Sequence, residues 1–485
     1  MNSRPSLAGR AALSLALMIG FYALAVGIAA GLLYLPYAEM TYAHRVHLKL
    51  LLFSLVGAGV ILWSIFPRPD RFAAPGPALA RERQPRLFDV LEGVAGATEQ
   101  AMPVEVYLVP AMNAWVAQRG GVMGFGSHRV MGLGLPLLQA LSVSELRAVL
   151  AHEFGHYHGG DTKLGPWIYK TRAAIGRTLD NLSQHSAVLL KPFEWYGNLF
   201  LRLTHAVSRR QELTADELAS RAVGARPLVS GLRKVHGAAM AFDPYWSGEV
   251  VPVVEAGFLP PLAEGFRRFV AVERIAGAIE KGIAQEIEEG RASPYDTHPP
   301  LRERIEAVRE LPPGDVPVDD PPALTLLDGV DALERDLLSA MAGEERARAL
   351  RPLAWEEAGN SVYAPLWEKS VRDFAAAFAG ATLDSLPEKA ASILAELDRT
   401  LPGDQEERRR RAVWLLGTAI AGALARAGCE IRALPGEPVF LVAAGGEAID
   451  PFAAASALSK GETSPNDWHE RCARLGHPAA ALDAV

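Results

Sequence analysis

Cysteine is nearly absent from this chain of 485 residues. There are two, Cys429 and Cys472, far apart, which excludes a disulfide framework and a cysteine-held zinc site. Both thiols read as small buried hydrophobes, and a reducing compartment suits them. An excess of positive charge is lacking as well. With a net charge of −7, the chain offers no basic footprint for nucleic acid. No internal repeat and no low-complexity tract interrupts it, and at about 150 residues per domain its length suggests two or three units.

Charge is also missing from two long stretches near the N-terminus. Residues 11–37 carry none, and residues 50–66 form a second uncharged run of bare spanning length. A helix rising about 1.5 Å per residue crosses a bilayer core of about 30 Å within such runs. The short loop from Glu39 to Lys49 would join them into a membrane hairpin. Arg4 and Arg10 precede the first run as they would in a signal peptide, but its apolar part is too long and a second span follows too soon. Arg68, Arg71, Arg81, Arg83 and Arg86 follow the second run. The positive-inside rule then puts the N-terminus and everything after residue 67 in the cytoplasm.

Residues 152–156 read His152-Glu153-Phe154-Gly155-His156, the HExxH pattern. Ser142 and Glu145 form a capping box before it, Leu146, Val149 and Leu150 follow at helical spacing, and Gly159-Gly160 supplies a stop. Residues four apart on a helix share a face, so both imidazoles can reach one ion with Glu153 beside it. That is zinc-peptidase chemistry. A catalytic zinc takes three protein ligands and leaves one position open, and Glu212, in a second helical stretch, fills the vacancy. The expected cofactor is one Zn2+ per chain, held by His152, His156 and Glu212.

The ordered set Asn113-Ala114-Trp115, HExxH, Glu212-Leu213-Thr214-Ala215-Asp216 and His298-Pro299-Pro300 resembles the integral-membrane metalloproteases of the CAAX prenyl protease and HtpX-like family, over roughly residues 85–310. The resemblance implies zinc binding at His152, His156 and Glu212, and a general base at Glu153. It implies that Asp216 orients a zinc-binding histidine. By the same resemblance Asn113 bonds substrate backbone near the metal, although a turn residue after Pro110 is the alternative. His298, ahead of Pro299 at a helix start, can donate to the oxyanion, or it only caps the helix. Arg304 pairs with the site's carboxylates or is a solvated helix charge. His128 and His158 are read as structural, and Asp161 as closing the helix end. The chain departs from family members that carry further spans between HExxH and the third ligand. Here Lys191, Glu194 and Arg202 break residues 186–207, leaving an aromatic-rich amphipathic stretch suited to the membrane interface or a helical pair over the site.

The expected fold is mainly α, of α+β type: an N-terminal transmembrane helical hairpin with its linker (1–72), a zincin-like (gluzincin) catalytic domain with a small edge sheet (73–312), and a C-terminal α+β accessory domain (313–485). An amphipathic helix at 87–98 opens the catalytic part, a strand follows at 104–109, and short β pieces lie within 116–130. The edge of that sheet could take an extended substrate as an added strand. Proline-rich 311–322 reads as a linker. The expected function is a membrane-anchored zinc metalloendopeptidase at the cell membrane, multi-pass, with its catalytic domain cytoplasmic, cutting protein or peptide substrates in membrane-protein quality control or processing. Its partners are that substrate and the lipid bilayer, and not nucleic acid. CAAX-type processing of lipidated peptides and a silent zinc-stabilised scaffold are the alternatives.

Overall fold

The computed structural model describes residues 7–66, 72–120, 126–156, 165–290 and 299–483. His158, Asp161 and His298 therefore lie outside the described residues. The chain divides into two compact units, residues 1–238 with 280–340, and residues 239–279 with 341–485. This division differs from the boundaries expected at 72 and 312. The hairpin packs within the first unit, and a segment ahead of 312 joins the C-terminal one. Both crossings near 238 and 280 fall inside continuous helices, where no loop or composition change marks them in sequence.

The first unit begins with α1 (Leu7–Tyr42) and α2 (Leu48–Ile65), both long and apolar enough to cross a membrane. Their outer faces expose Ile19 (61 %), Leu52 (53 %) and Trp63 (65 %), surface that suits lipid rather than water. Their inner faces pack on α6 (Gly165–Ser183) and α7 (Ala187–Ala222), which occupy the charge-interrupted stretch. Phe193 and Phe200 are fully buried there, with the Phe193 ring 6.3 Å from that of Phe21. Two polar side chains in this bundle find partners, as low-dielectric surroundings favour. The Tyr196 hydroxyl donates to the Leu17 carbonyl (2.6 Å), and the Asn181 amide donates to Ser64 Oγ (2.9 Å).

Between these pairs lies a mixed sheet. Strands β1 (Ala78–Leu79), β2 (Glu105–Val109), β3 (Ala114–Arg119) and β4 (His128–Gly134) take the order β1-β2-β4-β3. β3 is an edge strand, antiparallel to β4 from Ala114 opposite Leu133 to Arg119 opposite His128. α3 (Pro85–Ala97) buries Leu87, Leu91 and Val94 at helical spacing. After α4 (Leu135–Ala140) comes α5 (Val143–Gly155), the HExxH helix. α8 (Ala225–Tyr245) then continues into the second unit, which holds α9 (Val251–Glu255) and α10 (Leu262–Ala271), and α11 (Glu273–Glu289) leads back to α12 (Leu301–Val308).

Residues 311–322 are a strap pinned at both ends, not a free linker. Pro312 and Pro313 carbonyls accept from the first amides of α8, Ala225 and Arg226 (both 2.9 Å). Close approach there needs glycine: a Cβ on Gly224 (φ +116°) would stand 2.5 Å from Gly314 Cα. At the other end Asp320 accepts from the Ser144 amide (3.0 Å) and hydroxyl (2.5 Å), capping α5, and Val143 N donates to Pro321 O.

The second unit has its own core around the helices Leu386–Thr400 and Gln405–Arg426, with Leu397, Leu416, Ile420 and Trp468 all at or near zero exposure. A three-stranded antiparallel meander, Glu430–Arg432, Phe440–Val442 and Ala448–Ile449, completes this α+β region. Cys429 and Cys472 are free and buried in it, and burial pushes the Cys472 thiol up to about 11.

Candidate metal centre

α5 starts where its sequence says it should. Ser142 Oγ accepts from Glu145 N, and Glu145 Oε2 accepts from Ser142 N at 2.8 Å. The described helix ends at Gly155, with His156 as its C-cap, ahead of the expected stop at Gly159-Gly160, which lies outside the described residues. His152 and His156 share one face, their ring centroids 4.7 Å apart, and ligand atoms of His152, Glu153 and His156 all lie within 4.8 Å of one another.

α7 crosses α5 at the motif. Gly155 makes the crossing close, because a Cβ there would stand 2.9 Å from Ala215 Cα. With backbones so near, α7 delivers Glu212 and Asp216, four residues apart, to the same imidazoles. His152 Nε2 lies 3.3 Å from Glu212 Oε2, and His156 Nε2 lies 3.6 Å from Glu212 Oε1. His152 Nδ1 lies 2.8 Å from Asp216 Oδ1, and Asp216 is wholly buried.

These spacings, each to a different oxygen of Glu212, are of the size found between donors to one zinc ion. Two ligand atoms each bonded at about 2.0–2.2 Å to one ion stand about 3.4 Å apart. The site is also electrostatically coupled. Burial alone would lower the His152 imidazole, but hydrogen bonds to Asp216 and Glu212 carry it up to about 9. Burial would raise the Asp216 carboxyl, yet hydrogen bonds from Arg304 and His152 hold it below its ordinary range.

Arg304 is no solvated charge. It is 5 % exposed, and its guanidinium grips Asp216 in a fork, Nε to Oδ2 at 2.8 Å and Nη2 to Oδ1 at 2.7 Å. Nη2 also stands 3.3 Å from the His152 ring. The signal for it was its place in α12, on the stripe of Leu301 and Val308, both fully buried. Asn113, exposed just before β3, lines one cavity of about 450 Å³ together with His152, Glu153, Pro299 and Arg304. His128 lies on β4, 3.5 Å from Glu105, and takes no part in the cluster.

A helical HExxH motif closed by a carboxylate from a second helix is the arrangement of a metallopeptidase. Residues 81–312 match the model of peptidase family M48. Among curated relatives, a protease HtpX homolog of Tropheryma whipplei (strain Twist) is 27 % identical over 253 residues, 48 % of this chain and 75 % of the relative. One from Arthrobacter sp. (strain FB24) is 25 % identical over 274 residues, 52 % and 82 % of the two chains. Protease HtpX of Pseudomonas fluorescens is 26 % identical over 246 residues, 46 % and 70 %. No solved structure matches significantly. The HtpX-like metalloprotease resemblance read from the motifs holds, and it runs through the residues that match the M48 peptidase model.

Proposed function

We propose that the chain is a membrane-anchored zinc metalloendopeptidase that cuts membrane-associated proteins, in quality control or processing. The observation that carries this reading is the convergence of His152 and His156 on the two oxygens of Glu212, at 3.3 and 3.6 Å, with Glu153 beside them. His152, His156 and Glu212 would hold one zinc per chain. When bound, the ion supplies a Lewis acid that acidifies water and polarises a carbonyl.

The remaining chemistry belongs to the side chains. Glu153 takes a proton from the attacking water and passes it to the leaving amine. Asp216 accepts a hydrogen bond from the Nδ1–H of His152, which leaves Nε2 free to ligate and fixes the ring. Arg304 keeps that carboxylate ionised and in place. Asn113 bonds substrate backbone at the cavity rim, and β3, as the sheet's edge, pairs with an extended substrate. His298 is the candidate oxyanion donor by its place in sequence. The charge count around α1 and α2 puts this machinery on the cytoplasmic side.

Glu153→Gln tests the reading. The variant should keep its zinc and its fold and lose peptide hydrolysis by about 10²–10⁴-fold, the usual contribution of a general base. Near-normal turnover would refute the mechanism.

A further inference from the structure

The cavity beside Glu153 reaches well beyond the metal cluster. Its wall is apolar: Leu228, Leu232 and Val235 follow one another along one face of α8, with Leu137 and Val149 packed alongside. Acidic side chains line the cavity too. Glu286 and Glu289, one turn apart on α11, both line it. Arg304 in the lining is already engaged with Asp216, and His236 Nδ1 lies 2.9 Å from Glu286 Oε1. Glu289 accepts from a neutral amide, Gln285 Nε2 at 2.7 Å, which leaves its charge in place.

Resting on the peptidase reading above, we infer that this cavity is the specificity pocket of the site and takes a lysine or arginine side chain next to the scissile bond. A long basic side chain is an aliphatic stem with a charged head. The stem covers Leu228, Leu232 and Val235, and the head reaches Glu286 and Glu289. A leucine or phenylalanine would fill the wall without reaching either carboxylate. A glutamate would meet them as a like charge.

The test uses the full-length zinc-loaded protein in detergent and peptides that differ only at the residue beside the cleaved bond: Lys, Arg, Leu or Glu. A hydrogen-bonded charge contact is worth about 1.5–3 kcal/mol, so kcat/KM for Lys and Arg should exceed that for Leu by about tenfold or more. The Glu286→Gln/Glu289→Gln protein should keep its zinc while the Lys-to-Leu ratio falls to about one. A wild-type preference for Leu, or a Lys preference that survives in the double variant, overturns the assignment. Binding of the same peptides to Glu153→Gln separates the two readings. Tighter binding of the Lys peptide with no hydrolysis by wild type keeps the pocket and sinks the peptidase, whereas hydrolysis with no preference in either assay does the reverse.

Discussion

Arg304 and Asp216 form a buried ion pair whose geometry reaches the candidate ligand His152, so each partner has a structural and a functional load. Removing the guanidinium leaves a carboxylate at zero exposure with one fewer partner. Arg304→Gln is expected to lower stability by about 3–5 kcal/mol in denaturant titrations, the usual cost of breaking a buried pair. Asp216→Asn keeps the volume but loses the charged acceptor, and zinc affinity in a competition titration should fall about 10–100-fold. Unchanged affinity would make Asp216 a purely structural partner of Arg304. Glu145 offers a pH test at the same scale. Burial would raise its carboxyl, but hydrogen bonds from Lys234, Ser142 N and Ser230 hold it below the ordinary value. A lowered folded-state pKa contributes stability that is full above the unfolded pKa and is lost as pH falls through the folded one. Glu145→Gln should therefore be less stable than wild type at neutral pH, and the gap should close in acid. The convergence of His152 and His156 on Glu212 was legible because i, i+4 spacing on two helices is written in the chain. Arg304 was legible only as one of two readings, since a helix arginine is usually solvated and only its place on the Leu301 and Val308 stripe argues for pairing with the carboxylates.

At the scale of elements, the crossing of α5 and α7 sets the site. α7 is one helix of 36 residues, packed by Phe193 and Phe200 against α1 and carrying Glu212 and Asp216 in its later turns. Gly155 lets it approach, so Gly155→Ala should push the helices apart by a few tenths of an ångström or more and weaken zinc binding together with thermal stability. Ala215→Gly in the same protein should restore part of both, because it removes the Cβ that lies 3.1 Å from the new methyl position. Equal zinc affinity in Gly155→Ala and wild type would show that the crossing tolerates a methyl. The elements themselves were mostly readable: the α3 stripe and the capping box of α5 lie where periodicity places them, the strand expected at 104–109 is found at 105–109, and the β pieces expected within 116–130 extend to 114–119 and 128–134. The strap was misread. Proline and aspartate mark loops well, but whether a loop's carbonyls and carboxylates find helix amides across the fold depends on contacts distant in sequence.

For the whole molecule, hydropathy showed the two candidate spans and left the division into units hidden, because both the 238 and 280 crossings lie within helices. Topology follows from charge placement around the spans. Reporter fusions after residue 75 should report the cytoplasm, and fusions within 39–48 the opposite face. An extracytoplasmic signal from the first set would move the catalytic site across the membrane. The account as a whole stands on one metal position shared by two helices, and zinc content of the purified full-length protein measures it most directly. One zinc per chain is expected in wild type and in Glu153→Gln, with most of it lost in Glu212→Ala. Full zinc occupancy in Glu212→Ala, or none in wild type, would contradict the account.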